Sequence, residues 1–126
     1  MDFIEQDFRQ HYAELKHTMY LGNAEGFENI CQVHTSDTFQ RALLDDCLYT
    51  IAQTYLLPIT SFFEEEYHYF MERINPEVGA WQYFPSVQEI APDIDDLAQI
   101  MQFFIHIGKK DEIAKHCQKA IDTAIN

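Results

Sequence analysis

Apolar residues recur three and four positions apart along almost the whole chain, and that spacing is the period of an α-helix, not of a strand. Ile4, Phe8, Tyr12, Leu15 and Met19 form the first such series, which Gly22 ends. A looser stretch, 23–36, follows, in which Phe27, Ile30 and Cys31 fit one short helical turn. A second helix is predicted from about Asp37 to Leu57, with Phe39, Leu43, Cys47, Ile51 and Tyr55 on its apolar stripe and Pro58 as its stop. Ser61 and Glu64 have capping-box spacing and open a third helix carrying Phe62, Phe63, Tyr67, Phe70 and Ile74, closed by Asn75-Pro76. Asp93 caps a fourth, with Leu97, Ala98, Met101, Phe104 and Ile105 on one face and Gly108 at its C-terminal end. The last helix presents Ile113, Ala114, Cys117, Ala120, Ile121 and Ala124. Neither strand alternation nor a glycine-rich phosphate loop stands out. The expected fold is all-α: one domain over 1–126, about five helices in antiparallel hairpins.

Hydrophobic residues at 47% and aromatics at 14% are enough for a packed core. A net charge of −13, from 21 acidic against 8 basic side chains, argues against nucleic acid and anionic membrane surfaces as partners. No apolar run reaches the roughly 18 residues of a membrane span. Asp2, Glu5 and Asp7 stand where a secretory leader would carry basic residues. Cys31, Cys47 and Cys117 are odd in number and widely spaced, so reduced thiols and a cytoplasmic location are expected.

One connection breaks the economy of this plan. The segment 76–92 is long for a small helical domain, and such loops are often functional. It holds Trp81, Tyr83 and Phe84 and leads directly into Asp93, Asp95 and Asp96. Read from the residues alone, Asp93 and Asp96 make an acidic capping box, with Asp95 adding favourable charge at the helix start. The three aromatics are equally at home anchoring the loop to the core.

Asp93-Ile94-Asp95-Asp96 also has the form D-x-D-D, and Asn75-Pro76-Glu77-Val78-Gly79-Ala80-Trp81 has the form Q-x-x-x-G-x-W with Asn for Gln. In this order, on a helix–loop–helix unit, the two motifs resemble the class II terpene cyclase and prenyltransferase/squalene-cyclase repeat superfamily. The resemblance is concentrated in 67–104, and the helix ending Tyr69-Phe70-Met71 takes the place of the outer helix of such a repeat. It implies an α/α-toroid-like array and protonation-initiated isoprenoid cyclisation. Asp95 would be the general acid, with Asp93 and Asp96 holding its proton and orientation. Tyr83, Phe84, Phe103 and Phe104 would wall the cavity, each offering a cation about 0.5–2 kcal/mol. Trp81 would be structural, tying helices together. The chain departs from the family in carrying one Q-W-like repeat, in having Leu97 after the acidic motif, and in having too few helices to close a ring.

Two function classes follow. One is a cyclase-like enzyme acting on an isoprenoid small molecule. The other is a non-catalytic helical module that binds a helical protein partner or its own copy. Close packing of like charges raises one carboxyl pKa, but an acid acting at a helix start must also overcome the dipole, which favours the ionised form, and that needs burial and a hydrogen-bond partner. Asp95 inside an apolar cavity is expected of the enzyme, and Asp95 in solvent is expected of the module.

No cofactor or metal is implied. Glu64, Glu65, Glu66 and His68 read as a solvated face, and Asp45-Asp46 as the polar side of the second helix. Arg73, Lys109 and Lys110 are too few to hold a diphosphate.

Overall fold

The computed structural model describes residues 6, 17–22, 31–84 and 91–125. Among the described residues five helices carry the core: α1 (Thr38–Tyr55), α2 (Thr60–Met71), α3 (Ile94–His106), α4 (Lys110–His116) and α5 (Gln118–Ile125). The helical class and the hairpin arrangement are therefore as read from the spacing. Before them stands a two-stranded antiparallel hairpin, β1 (His17–Gly22) with β2 (Cys31–Ser36), in the register Tyr20↔Val33 and Thr18↔Thr35. This corrects the end of the first expected helix, because Met19 and Gly22 lie in β1. It also corrects the short turn assigned to Cys31, which starts β2. Thr18, Tyr20, Val33 and Thr35 favour extended backbone once a partner strand is present, and that partner is too distant for local periodicity to reveal. Ile4, Phe8, Tyr12, Leu15, Phe27 and Ile30 lie outside the described residues.

The most instructive correction is in α1. Leu43, Cys47, Ile51 and Tyr55, expected on its buried stripe, are exposed. Thr38, Ala42, Asp45, Asp46, Leu48 and Ala52 are buried instead. A strict four-residue repeat drifts by about 40° per step around a helix and leaves the core face after two turns. The buried set mixes steps of three and four and stays on it.

α2 begins at Thr60, and neither Ser61 nor Glu64 caps it. Buried Ile59 takes the N-cap position two residues before Ser61, and Glu64 instead meets Lys109 at 3.2 Å. α3 ends as expected: Gly108 has φ +82°, Lys109 N–H donates to Phe104 O at 2.8 Å, and Gly108 N–H donates to Ile105 O at 3.2 Å. The expected last helix is broken at Cys117 into α4 and α5. A loop presses on that break. A Cβ on Gly79 (φ +77°) would stand 2.2 Å from the carbonyl oxygen of His116, so only glycine fits there.

Residues α1 and α3 present to each other show that they run in the same direction. Asp46 meets Gln102 and His106, and Tyr49, one turn on, stacks on His106. α2 packs against them in the opposite sense: Phe63, Tyr67 and Phe70 interleave with Phe103 and Phe104 at centroid distances of 5.1–6.2 Å, edge to face or tilted. No helix among the described residues is long and apolar enough to cross a membrane.

Candidate functional site

The loop after α2 is built around Asn75. Its side-chain oxygen accepts from the N–H groups of Glu77 (3.0 Å) and Val78 (3.4 Å), and its backbone pairs with Ala80. That turn delivers Trp81 to the core, where the indole N–H donates to Phe70 O at 2.7 Å and the ring packs edge-on against Phe104. Trp81 thus ties the end of α2 to α3. Tyr83 accepts from the Gln40 amide at 2.7 Å, and Phe84 is buried against Tyr83. Phe103 and Phe104 are fully buried in the aromatic core and line none of the cavities described below.

The acidic helix start separates into three different environments. Asp93 is exposed and caps α3, accepting from the N–H of Asp95 at 2.9 Å. Asp95, expected to be the acid, is exposed on the first turn. Asp96 is only 1% exposed, and neither of its carboxylate oxygens has a hydrogen-bond partner. It therefore does not close the expected capping box. Burial, reinforced by the nearby charges of Asp93 and Asp95, pushes its carboxyl up to about 7. One turn on, the amide nitrogen of Gln99 is also buried without a partner.

Beside this helix start lies an apolar groove. One depression of about 360 Å³ runs between Val78, Pro92, Ile94, Leu97, Ala120 and Ala124. A second, of about 190 Å³, continues it over Ala98, Met101, Ile121 and Ile125. The two share Ile94, Leu97 and Ala124, so they form one trough between α3 and α5. Ile94 and Ile125 stand on its rim largely exposed.

The other side of α3 is polar and closed. Asp46 holds His106 through Nδ1 and accepts from the Gln102 amide, while Tyr49 stacks on the imidazole with ring centres 5.4 Å apart. His106 borders a cavity of about 200 Å³ with Gln53, Thr60 and Glu64. Further along, Arg41 forms a two-pronged pair with buried Glu66, both bonds 2.7 Å, and its guanidinium lies 3.5 Å from the centre of the Tyr69 ring. Burial opposes the Arg41 charge, but Glu66 outweighs it and its pKa is raised. Burial, helped by the hydrogen bond to Asp37 at 2.6 Å, pushes the Tyr69 hydroxyl up to about 12. Asp45, Asp46 and Glu66 are thus interior residues and not the solvated faces expected of them. The signal for Asp45 and Asp46 was present: they fall on the same 3.6-residue phase as Ala42 and Ala52.

Among the described residues no three His, Cys, Asp or Glu side chains cluster as metal ligands. Comparison with protein-family models, with curated proteins and with solved structures returns no match.

Proposed function

We propose that this chain is a helical interaction module, a toroid-like hairpin unit whose working surface is the α3–α5 groove. The observation that carries this reading is the pairing of an open apolar trough with a solvent-facing Asp95. A groove of this width, left uncovered by the described residues along two helices, is the form in which helical domains receive an amphipathic helix. The likeness to terpene-cyclase and prenyltransferase repeats fits the same picture, since an incomplete ring leaves a helix face for another segment to cover. The test is fluorescence anisotropy with a panel of labelled amphipathic helical peptides of differing flanking charge. Binding that disappears in Ala98→Glu, an exposed groove position, supports the module. No binding by any peptide overturns it.

A second reading is protonation-initiated isoprenoid cyclisation, and one observation favours it: Asp96 has the properties that the resemblance assigns to Asp95. A carboxyl raised to about 7 keeps its proton near neutral pH, as a general acid must, although Asp96 itself lines none of the described cavities. The open groove weighs against it, because a carbocation must be shielded from water. Incubation with a linear polyprenoid, with products resolved by mass spectrometry, decides. Cyclised product lost in Asp96→Asn and retained in Asp95→Asn supports this reading. No product from the wild-type chain ends it.

A further inference from the structure

α1 and α3 run in the same direction and α2 runs against them, so the ends of α1 and α3 meet the start of α2 at one end of the core. The cavity of about 200 Å³ lies there, with Gln53 of α1, Thr60 of α2 and His106 of α3 on its border. His106 is fixed from two directions. Its Nδ1 meets Asp46, whose other oxygen accepts from the Gln102 amide at 2.5 Å, and Tyr49 stacks on the ring at an interplanar angle of 12°. A carboxylate that accepts from Nδ1–H leaves Nε2 as the nitrogen with the free lone pair. Nε2 has no partner among the described residues, and the side chain is 39% exposed, so a molecule in the cavity can reach it.

The charges around this cavity suit a proton transfer to that nitrogen. Asp46 and the negative poles at the ends of α1 and α3 favour the imidazolium that would form. Across the cavity, the start of α2 has no side-chain cap, and its positive pole favours a developing oxyanion. Glu64, the carboxylate on the border, is held by Lys109 at 3.2 Å and does not oppose that charge alone. Ala52, Leu57, Phe63 and Ile107 supply an apolar wall. We propose that Asp46 and His106 form a general-base site that hydrolyses small neutral esters with a short apolar acyl group, independently of the α3–α5 groove. A water gives its proton to Nε2 as its oxygen bonds to the ester carbonyl carbon, and the carbonyl oxygen takes the negative charge. The intermediate then collapses, its bond to the alcohol oxygen breaks, and that oxygen takes the proton back from Nε2. Acid and alcohol leave, and the neutral imidazole is restored.

Hydrolysis of p-nitrophenyl acetate, butyrate and decanoate by the full chain tests this. Saturable turnover of the acetate and butyrate is expected, with discrimination against the decanoate, whose acyl chain outgrows the cavity. His106→Gln should lower kcat about 100-fold. Asp46→Asn should lower kcat at least about tenfold with KM unchanged, as the loss of a residue that positions the base does and a general loosening of the fold does not. His116→Gln is the control. His116 also meets a carboxylate, Glu112 at 3.2 Å, but borders none of the described cavities, so its removal should leave turnover unchanged. Should Asp46→Asn fail to fold, the two histidine variants decide alone. Absence of saturable turnover in the wild type, turnover retained in His106→Gln, or equal loss in His116→Gln overturns the proposal.

Discussion

Glu66 and Asp96 are equally buried, each 1% exposed, yet α2 and the start of α3 treat their carboxylates in opposite ways. On the closed side, where α1, α2 and α3 interleave, Glu66 meets Arg41 through two short bonds, and Tyr69 lies beside the guanidinium. At the start of α3, on the core side and outside the lining of the groove, Asp96 has no hydrogen-bond partner among the described residues and two like charges nearby. A paired carboxylate is a structural element that keeps its charge. An unpaired one is kept inside only by holding its proton, and sites that do this are often functional. The difference separates a charged pair that holds helices together from a buried acid that nothing among the described residues holds.

The scaffold half of this comparison is broken most directly at Arg41. Arg41→Ala strands Glu66 in the core, and the expected loss is about 3–5 kcal/mol, read from the urea midpoint. Replacing both partners together, as Arg41→Met/Glu66→Leu, should recover much of that loss, because no buried charge is then left alone. A single-variant cost below about 1 kcal/mol would mean that the pair is not what holds this side together.

The start of α3 makes a prediction in pH. In the unfolded chain the Asp96 carboxyl titrates near its ordinary value, about 3.9, and in the folded chain near 7. Between those values the folded state binds the extra proton. Stability attributable to Asp96 is therefore fully present below pH 4, falls as the pH rises, and is lost above 7, by at most about 4 kcal/mol. Asp96→Asn imitates the protonated acid at every pH. It should flatten that slope and exceed the wild type in stability at pH 8 while matching it at pH 4. Coincident wild-type and variant curves would show that Asp96 ionises freely and that the two buried carboxylates do not differ.

How much of this was legible in the sequence follows the same division. Elements set by local signals were readable: α3 between Asp93 and Gly108, the stop before Pro58, and Trp81 as an anchor. Elements set by distant partners were not. β1 and β2 depend on each other, and the pairing of Glu66 with Arg41 crosses between helices in a way no spacing announces. The acidic motif was recognised as three carboxylates, but which one turns inward depends on helix phase relative to the core. Leu97 and Ile100 carry Asp96 inward with them, and Asp95 is left facing water.

Gly79 tests how firmly the two sides are joined. Its loop starts at the end of α2 and presses on the α4–α5 break, so Gly79→Ala must relieve both a left-handed backbone and a contact of 2.2 Å. The expected cost is about 2–3 kcal/mol. Hydrogen exchange should quicken at the amides of Cys117 and Ile121, which bond across the break, before it quickens in the α1–α2 pair. Uniform quickening would mean that the open side does not loosen separately.

The smallest expected effect is a gain, at the far end of the closed side. Leu56 ends α1 in the left-handed region, at φ +54°, and Leu57 N–H donates to Ala52 O at 2.9 Å in the bond that closes such a helix end. A leucine there carries the steric penalty of a Cβ against its own backbone, about 1–2 kcal/mol, and at 87% exposure it has little packing to offset it. Leu56→Gly removes the penalty at the cost of greater freedom in the unfolded chain, so a net stabilisation of about 0.5–1 kcal/mol is expected. The gain should appear in the urea midpoint and leave peptide binding at the groove unchanged, because Leu56 belongs to the scaffold. A Leu56→Gly chain that lost stability instead would mean that this exposed leucine, together with Tyr55 and Ile51 on the same face of α1, is covered by another surface, and the closed side would then be a second working face.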